Sequence, residues 1–161
     1  MSDAGSYKGE LSDKVDGTGL RVAVLVARFN SDLTEKMMAS TCRTLIEKGV
    51  ADEAVDLHRV PGAWELPQAA AHLARRGGVD AIIAIGAVVR GDTPHFEYIA
   101  GECARGLGDV AIRHDVPVIF GVLTTNTHEQ ADERADPARM DKGREAALAA
   151  LEMAQFFRST R

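Results

Sequence analysis

Residues 21–27 read RVAVLVA: after the arginine come six apolar residues in succession, half of them valine. A strand with one wet face alternates polar and apolar side chains. A run that is apolar at every position and rich in β-branched residues suits a parallel strand covered on both faces. The period then changes. Leu33, Met37, Thr41 and Leu45 recur every four residues, and Met38, Cys42 and Ile46 widen the stripe, which predicts a helix. Ser31 and Asp32 are expected to cap it, Glu35 falls in its first turn, and Gly49 ends it.

The same alternation continues along the chain. Residues 54–60 read as a second strand, broken by Pro61-Gly62. Pro67 suits the first position of a helix that stops at Gly77-Gly78. Residues 80–85 (DAIIAI) are a third buried strand and residues 86–95 a loop. Phe96, Ile99, Ala100, Cys103, Leu107 and Val110 then mark a third helix face. Residues 117–123 (PVIFGVL) are a fourth strand, 124–127 a loop, 128–134 a short helix and 142–158 a long Ala-rich final helix. Strands alternating with helices predict an α/β class with a mostly parallel sheet.

A chain of 161 residues without repeat or linker is one domain. Residues 1–20, polar and rich in Gly, Ser and Asp, are expected to form a flexible arm or edge segment, and residues 21–161 the domain. Nineteen basic against 24 acidic residues give a net charge of −5, which disfavours nucleic acid as a partner. No apolar run approaches the ~20 residues needed to span a membrane. The first residues lack the apolar centre of a signal peptide. A soluble, cytoplasmic protein with no membrane partner is expected. Cys42 and Cys103 fit no disulfide or metal spacing. His58, His72, His95, His114 and His128 show no zinc-ligand spacing, so no metal is expected.

In parallel α/β sheets, ligands bind where the chain leaves the carboxyl ends of the strands. That rule selects Phe29-Asn30 and residues 61–67, 86–95 and 124–126. No G-x-G-x-x-G follows the first strand, and G-x-x-x-x-G-K-[ST] and G-x-S-x-G are absent. Dehydrogenase, P-loop and serine-hydrolase chemistry are therefore disfavoured. Loop 86–95 (GAVVRGDTPH) is the richest. Gly91 permits a close backbone approach, and the N–H groups of Gly91, Asp92 and Thr93 could face an anion beside a helix start. His95 has the side chain best suited to proton transfer near neutral pH. The plain alternative is a capped loop with a solvated histidine. Trp64 and Glu65 make either a flat platform beside a hydroxyl-binding carboxylate or a core tryptophan with a helix-start glutamate. Phe29-Asn30 leaves the same choice open, and Arg134 and Lys142 read as ligand-binding or simply solvated.

Three segments resemble the lumazine synthase family closely: VPGAWELP (60–67), GAVVRGDTPHFEY (86–98) and FGVLTTNT (120–127). ARFN (27–30) and MDKG (140–143) add weaker likeness, and the segments run in the family's order over roughly residues 20–157. The resemblance implies a flavodoxin-like three-layer sandwich on a four-stranded, mainly parallel sheet. It implies two small-molecule substrates, a ribitylaminopyrimidine and a four-carbon sugar phosphate, joined with no cofactor. It assigns proton transfer to His95 and stacking on the pyrimidine to Phe29. Trp64 belongs to the aromatic wall, Glu65 binds ribityl hydroxyls, and Asn30, Ala63, Val88 and Val89 line the site. Phe120 and Lys142 come from a neighbouring subunit, and Gly91, Asp92, Thr93 and Arg134 hold the phosphate. It further implies a homopentamer, twelve of which close into a 60-subunit shell, with riboflavin synthase as a further partner. The N-terminal arm would then pair with a neighbouring subunit. Two positions depart from the pattern. Pro94 precedes the histidine where other residues are common, and Asp141 stands before Lys142 where the family often has Asn, setting a negative charge beside the lysine.

Two rival readings are a non-catalytic shell or riboflavin-binding protein on the same scaffold, and a flavodoxin-like electron carrier or receiver domain. His95, Arg134 and Lys142 count against the first. Residues 27–30 lack the acidic cluster a receiver needs.

Overall fold

The computed structural model describes residues 13–161. Four strands form one parallel sheet: β1 (Val22–Ala27), β2 (Val55–Val60), β3 (Ala81–Val89) and β4 (Val118–Thr125), in the order β2-β1-β3-β4. Helices α1 (Ser31–Glu47), α2 (Leu66–Arg76), α3 (His95–His114), α4 (His128–Ala135) and α5 (Lys142–Ser159) cover its two faces. This is the expected three-layer α/β architecture.

The unbroken apolar run of β1 has a simple cause. Its side chains alternate between two separate cores. Val22, Val24 and Val26 join Ile83 and Ile85 against Leu33, Met37, Leu45 and Leu151 of α1 and α5. Ala23, Leu25 and Ala27 join Ile82 and Ala84 against Leu66, Leu73, Cys103 and Leu107 of α2 and α3. Every residue of β1 is 0–1% exposed. The edge strand β2 is not so covered: Leu57, His58 and Arg59 are exposed.

Boundaries differ from the sequence reading where tertiary pairing intervenes. Gly86 looked like the start of a loop, yet β3 runs on to Val89. The ladder with β4 continues through Val88↔Thr124 and Val89↔Thr125. β4 correspondingly extends two residues past the expected end. The N-cap of α1 is Asn30, in the left-handed region at φ 60°, rather than Ser31 or Asp32, and it makes no side-chain cap bond. Both side chains are engaged elsewhere: Asn30 Nδ2 donates to Ala87 O at 2.9 Å, and Asp32 pairs with His128 Nε2 at 2.8 Å. The second helix begins at Leu66, after a short 3₁₀ turn over Ala63–Glu65.

Of the arm expected over residues 1–20, residues 1–12 lie outside the described residues. Residues 13–20 rest on their own domain. Val15 and Leu20 are buried, Gly17 N donates to Lys48 O at 2.7 Å, and Asp13 pairs with Arg144 at 2.9 Å. Among the described residues, no helix is long and apolar enough to cross a membrane.

Candidate active site

The connection from β1 leads to one side of the sheet order and β3 lies on the other, so a crevice opens at the carboxyl ends of these two strands. Asn30 spans it through its bond to Ala87 O. The loops after β1 and β2 are joined by two backbone bonds, Arg28 N to Val60 O at 2.8 Å and Phe29 N to Pro61 O at 3.0 Å. They wall a cleft of about 450 Å³.

Phe29, Ala63, Trp64, Glu65, Val88, Val89, Gly91, Thr93 and His95 all line this cleft. Sequence reasoning had named each of them. Pro61, Gly62 and Ala87, which fall within the selected loops but were given no role, and Phe96 and Ile99, read only as a helix face, complete the lining. Phe29 is 71% exposed and Trp64 55%, so the tryptophan is not a core residue. Two large solvent-exposed rings lining one cleft mark it as a candidate binding surface. His95 is the first residue of α3 and exposed to the cleft. Asn30 and Asp92 stand beside the lining rather than in it.

The loop after β3 is held by Arg90. Its backbone N donates to Thr125 O at 2.9 Å. Its guanidinium donates from Nε to Asn126 Oδ1 at 2.9 Å, pairs with Glu97 through Nη1, and stacks 4.4 Å from the Phe96 ring centre. The Arg90 hydrogen bond holds the Glu97 carboxyl below its ordinary range. The frame leaves the loop's own donors available. Among the described residues, the N–H groups of Gly91, Asp92 and Thr93 have no hydrogen-bond partner. They precede the start of α3, where the helix dipole favours an anion.

Phe120, Arg134 and Lys142 are elsewhere. They line a second cleft of about 390 Å³, with Met37 and Glu145, between β4 and the helices α1, α4 and α5. The two clefts share no lining residue. Phe120 is 46% exposed on β4. Arg134 Nη1 donates to Gln130 O at 3.0 Å, and Lys142 Nζ pairs with Glu145 at 2.8 Å. Within one chain, then, Arg134 is grouped with Phe120 and Lys142 and not with the Gly91-Asp92-Thr93 loop. The helix that carries it starts at a capping box: Thr127 Oγ1 accepts from Gln130 N, and the Gln130 side chain accepts from Thr127 N. Among the described residues, no group of three His, Cys, Asp or Glu side chains is placed to hold a metal ion.

The arrangement offers an aromatic slot, a carboxylate, an imidazole and a row of free N–H donors in one cleft. Two cations and a phenylalanine sit in the other. Residues 19–158 match the family model described as 6,7-dimethyl-8-ribityllumazine synthase. The chain is also similar to the 6,7-dimethyl-8-ribityllumazine synthase of Aquifex aeolicus (strain VF5), with 44% identity over 155 residues that cover 96% of this chain and 98% of that protein. A match of this extent, running through every segment that builds the two clefts, shows that the chain belongs to the 6,7-dimethyl-8-ribityllumazine synthase family.

Proposed function

We propose that the chain is a transferase of riboflavin biosynthesis. It condenses 5-amino-6-(D-ribitylamino)uracil with 3,4-dihydroxy-2-butanone 4-phosphate to give 6,7-dimethyl-8-ribityllumazine, phosphate and water. The observation that carries this reading is the pair of complementary clefts on one chain. Each holds half of the groups the condensation needs, so the full site forms where the first cleft of one subunit meets the second cleft of the next.

In this reading Phe29 stacks on the pyrimidine and Trp64 closes the aromatic wall. Glu65 accepts from ribityl hydroxyls, while Ala63, Val88 and Val89 set the depth of the slot. Asn30 keeps the crevice in shape through Ala87. Lys142 of the neighbour meets a pyrimidine carbonyl, and Phe120 of the neighbour covers the ring. The N–H groups of Gly91, Asp92 and Thr93 receive the phosphate, and Arg134 closes on it. Because Arg134 shares a cleft with Lys142, the neighbour must supply it too. Its planar fork suits paired phosphate oxygens.

The 5-amino group attacks the ketone carbonyl, and water leaves as the imine forms. Phosphate is eliminated, the chain tautomerises, and the ribityl-bearing nitrogen closes the second ring with loss of water. His95, beside the phosphate loop, carries the protons between nitrogen, carbon and leaving group. The substrates bring their own nucleophile and leaving group, so holding them in register supplies much of the acceleration.

A ring is the simplest closed assembly for a site shared head to tail. We infer a pentamer, twelve of which make a 60-subunit shell, working in the cytoplasm alongside riboflavin synthase. Fluorescence of the lumazine product in a two-substrate assay, combined with sedimentation, tests the reading. Product should form only in fractions of pentamer size or larger. Full turnover by a verified monomer would end the shared-site model. Stoichiometric riboflavin binding without product would favour a binding protein on the same scaffold.

A further inference from the structure

Helix α1 buries three hydroxyls within two turns: Ser40 is 1% exposed, Thr41 0% and Thr44 2%. A buried hydroxyl is costly unless it is hydrogen-bonded. Thr44 stays within its own helix, donating to Ser40 O at 2.8 Å. The other two cross to the start of α5. Ser40 Oγ donates to Asp141 Oδ1 at 2.5 Å, and Thr41 Oγ1 donates to Gly143 O at 2.9 Å. The residue between these two anchors is Lys142.

The backbone itself is also pinned there. A Cβ at residue 143 would stand 2.4 Å from Met37 O, so the chain can approach α1 this closely only with glycine. Asp141 adopts the left-handed region at φ 48°, and its Oδ1 also accepts from Arg144 N at 3.3 Å, capping α5. Elsewhere the core around α1 and α5 is built from Leu33, Met37, Leu45, Leu148 and Leu151, and the one other buried hydroxyl of α1, Thr34 Oγ1, makes no hydrogen bond among the described residues. The polar ties thus converge on the two residues that flank one lysine.

We propose that Ser40, Thr41 and Asp141 are positioning residues that fix the backbone of Lys142, so that its ammonium reaches the pyrimidine bound in the neighbouring subunit's cleft. This rests on the shared-site reading above. It also gives Asp141 a use. Its carboxylate is engaged by α1 and by the helix cap, and the lysine pairs with Glu145 instead.

The test compares full-length Thr41→Val, Thr41→Ser and Thr44→Val with the parent in the assembled state. Thr41→Val should raise KM for the ribitylaminopyrimidine by about 2- to 10-fold, the range of one net hydrogen bond, and leave KM for the butanone phosphate unchanged. Amide hydrogen exchange at residues 142–145 should quicken by a similar factor. Thr41→Ser should restore both readouts, and Thr44→Val should move neither. The inference is overturned if both KM values rise together in Thr41→Val, if Thr44→Val does the same, or if exchange at residues 142–145 does not change. A parent protein that forms no lumazine sinks the functional reading alone. The exchange comparison then still decides whether Thr41 holds this segment.

Discussion

The two clefts hold their polar groups in opposite ways. In the first, the rings of Phe29 and Trp64 stand in solvent, and the N–H groups of Gly91, Asp92 and Thr93 are unengaged among the described residues. In the second, both cations already have partners on their own chain: Arg134 at Gln130 O and Lys142 at Glu145. One surface is prepared to receive a ligand. Under the proposed shared site, the other would exchange internal contacts for external ones on meeting its counterpart. Such an exchange would cost little, because the Lys142–Glu145 ion pair and the Arg134–Gln130 hydrogen bond are both solvent-exposed. Under the same proposal, the first cleft holds the scaffolding for chemistry and the second the groups that complete it.

The largest expected effect comes from the first cleft. His95→Ala should lower turnover at saturating substrate by roughly 10²- to 10⁴-fold. Unchanged turnover would remove His95 from the mechanism and leave the first cleft a binding surface only. Mixing sharpens the comparison. If each site takes its first cleft from one subunit and its second from the next, random co-assembly of equal amounts of His95→Ala and Arg134→Ala should recover about a quarter of parental activity, assayed with the butanone phosphate well below KM. Two clefts serving separate sites would recover nothing.

Arg134→Ala should raise KM for the butanone phosphate by about 10- to 150-fold, the span of a charged hydrogen bond. It should also weaken competition by inorganic phosphate. Lysine at 134 should recover part of the loss, since it keeps the charge without the paired donors. A rise confined to the pyrimidine KM would place Arg134 at the other end of the site.

Gly143→Ala probes the second cleft through its backbone. The new methyl meets Met37 O, a backbone atom that cannot swing aside. A loss of about 1–3 kcal/mol in urea unfolding is expected, the usual range for overpacking. Parental stability would mean that α5 can slide on α1.

The smallest effect lies away from both clefts, on the edge of the sheet. The Arg59 guanidinium donates to Glu35 and holds that carboxyl below its ordinary value. A depressed folded value stabilises the protein above the unfolded value of about 4.3, and the gain is lost as pH falls through the folded value. Arg59→Met should therefore lower stability at neutral pH only slightly, since both side chains are largely in water and solvent screens the pair. It should also flatten the acid limb of the stability curve. An unaltered acid limb would show that the pair does not persist in solution.

Much of the fold was legible because burial on both faces leaves a plain mark. Residues 21–27 and 80–85 read as covered strands and are covered; residues 117–123 read equally as a strand, but β4 lies at the sheet edge and leaves Phe120 46% exposed. The end of β3 was less legible: Gly86 signals a break locally, and only pairing with β4 carries the strand to Val89. Asn30 was missed as the helix cap because its side chain answers to Ala87, 57 positions away. At the site, residue types were readable and grouping was not. Nothing local says whether Trp64 faces the core or solvent, or that Arg134 lies with Lys142 instead of beside Gly91. Those are facts of which helix face meets which strand. Arg90 could have been suspected from Glu97 seven positions on, but Asn126 comes from a different loop. Thr41 was read as one step of an apolar stripe, which hid its hydroxyl's partner.

The strand order β2-β1-β3-β4 has a consequence for how the chain is made. β1 emerges from the ribosome first, yet its second neighbour begins at Ala81, paired with Val22. Those positions are 59 residues apart. At about 5–20 residues per second, translation needs roughly 3–12 s to deliver the missing strand. Throughout that interval VAVLVA, an uncharged and β-prone segment, has β2 and α1 within reach but one edge without its β3 partner, and an open edge of this kind favours cross-β aggregation. Slower synthesis through residues 28–80 lengthens the time that this edge waits for its partner.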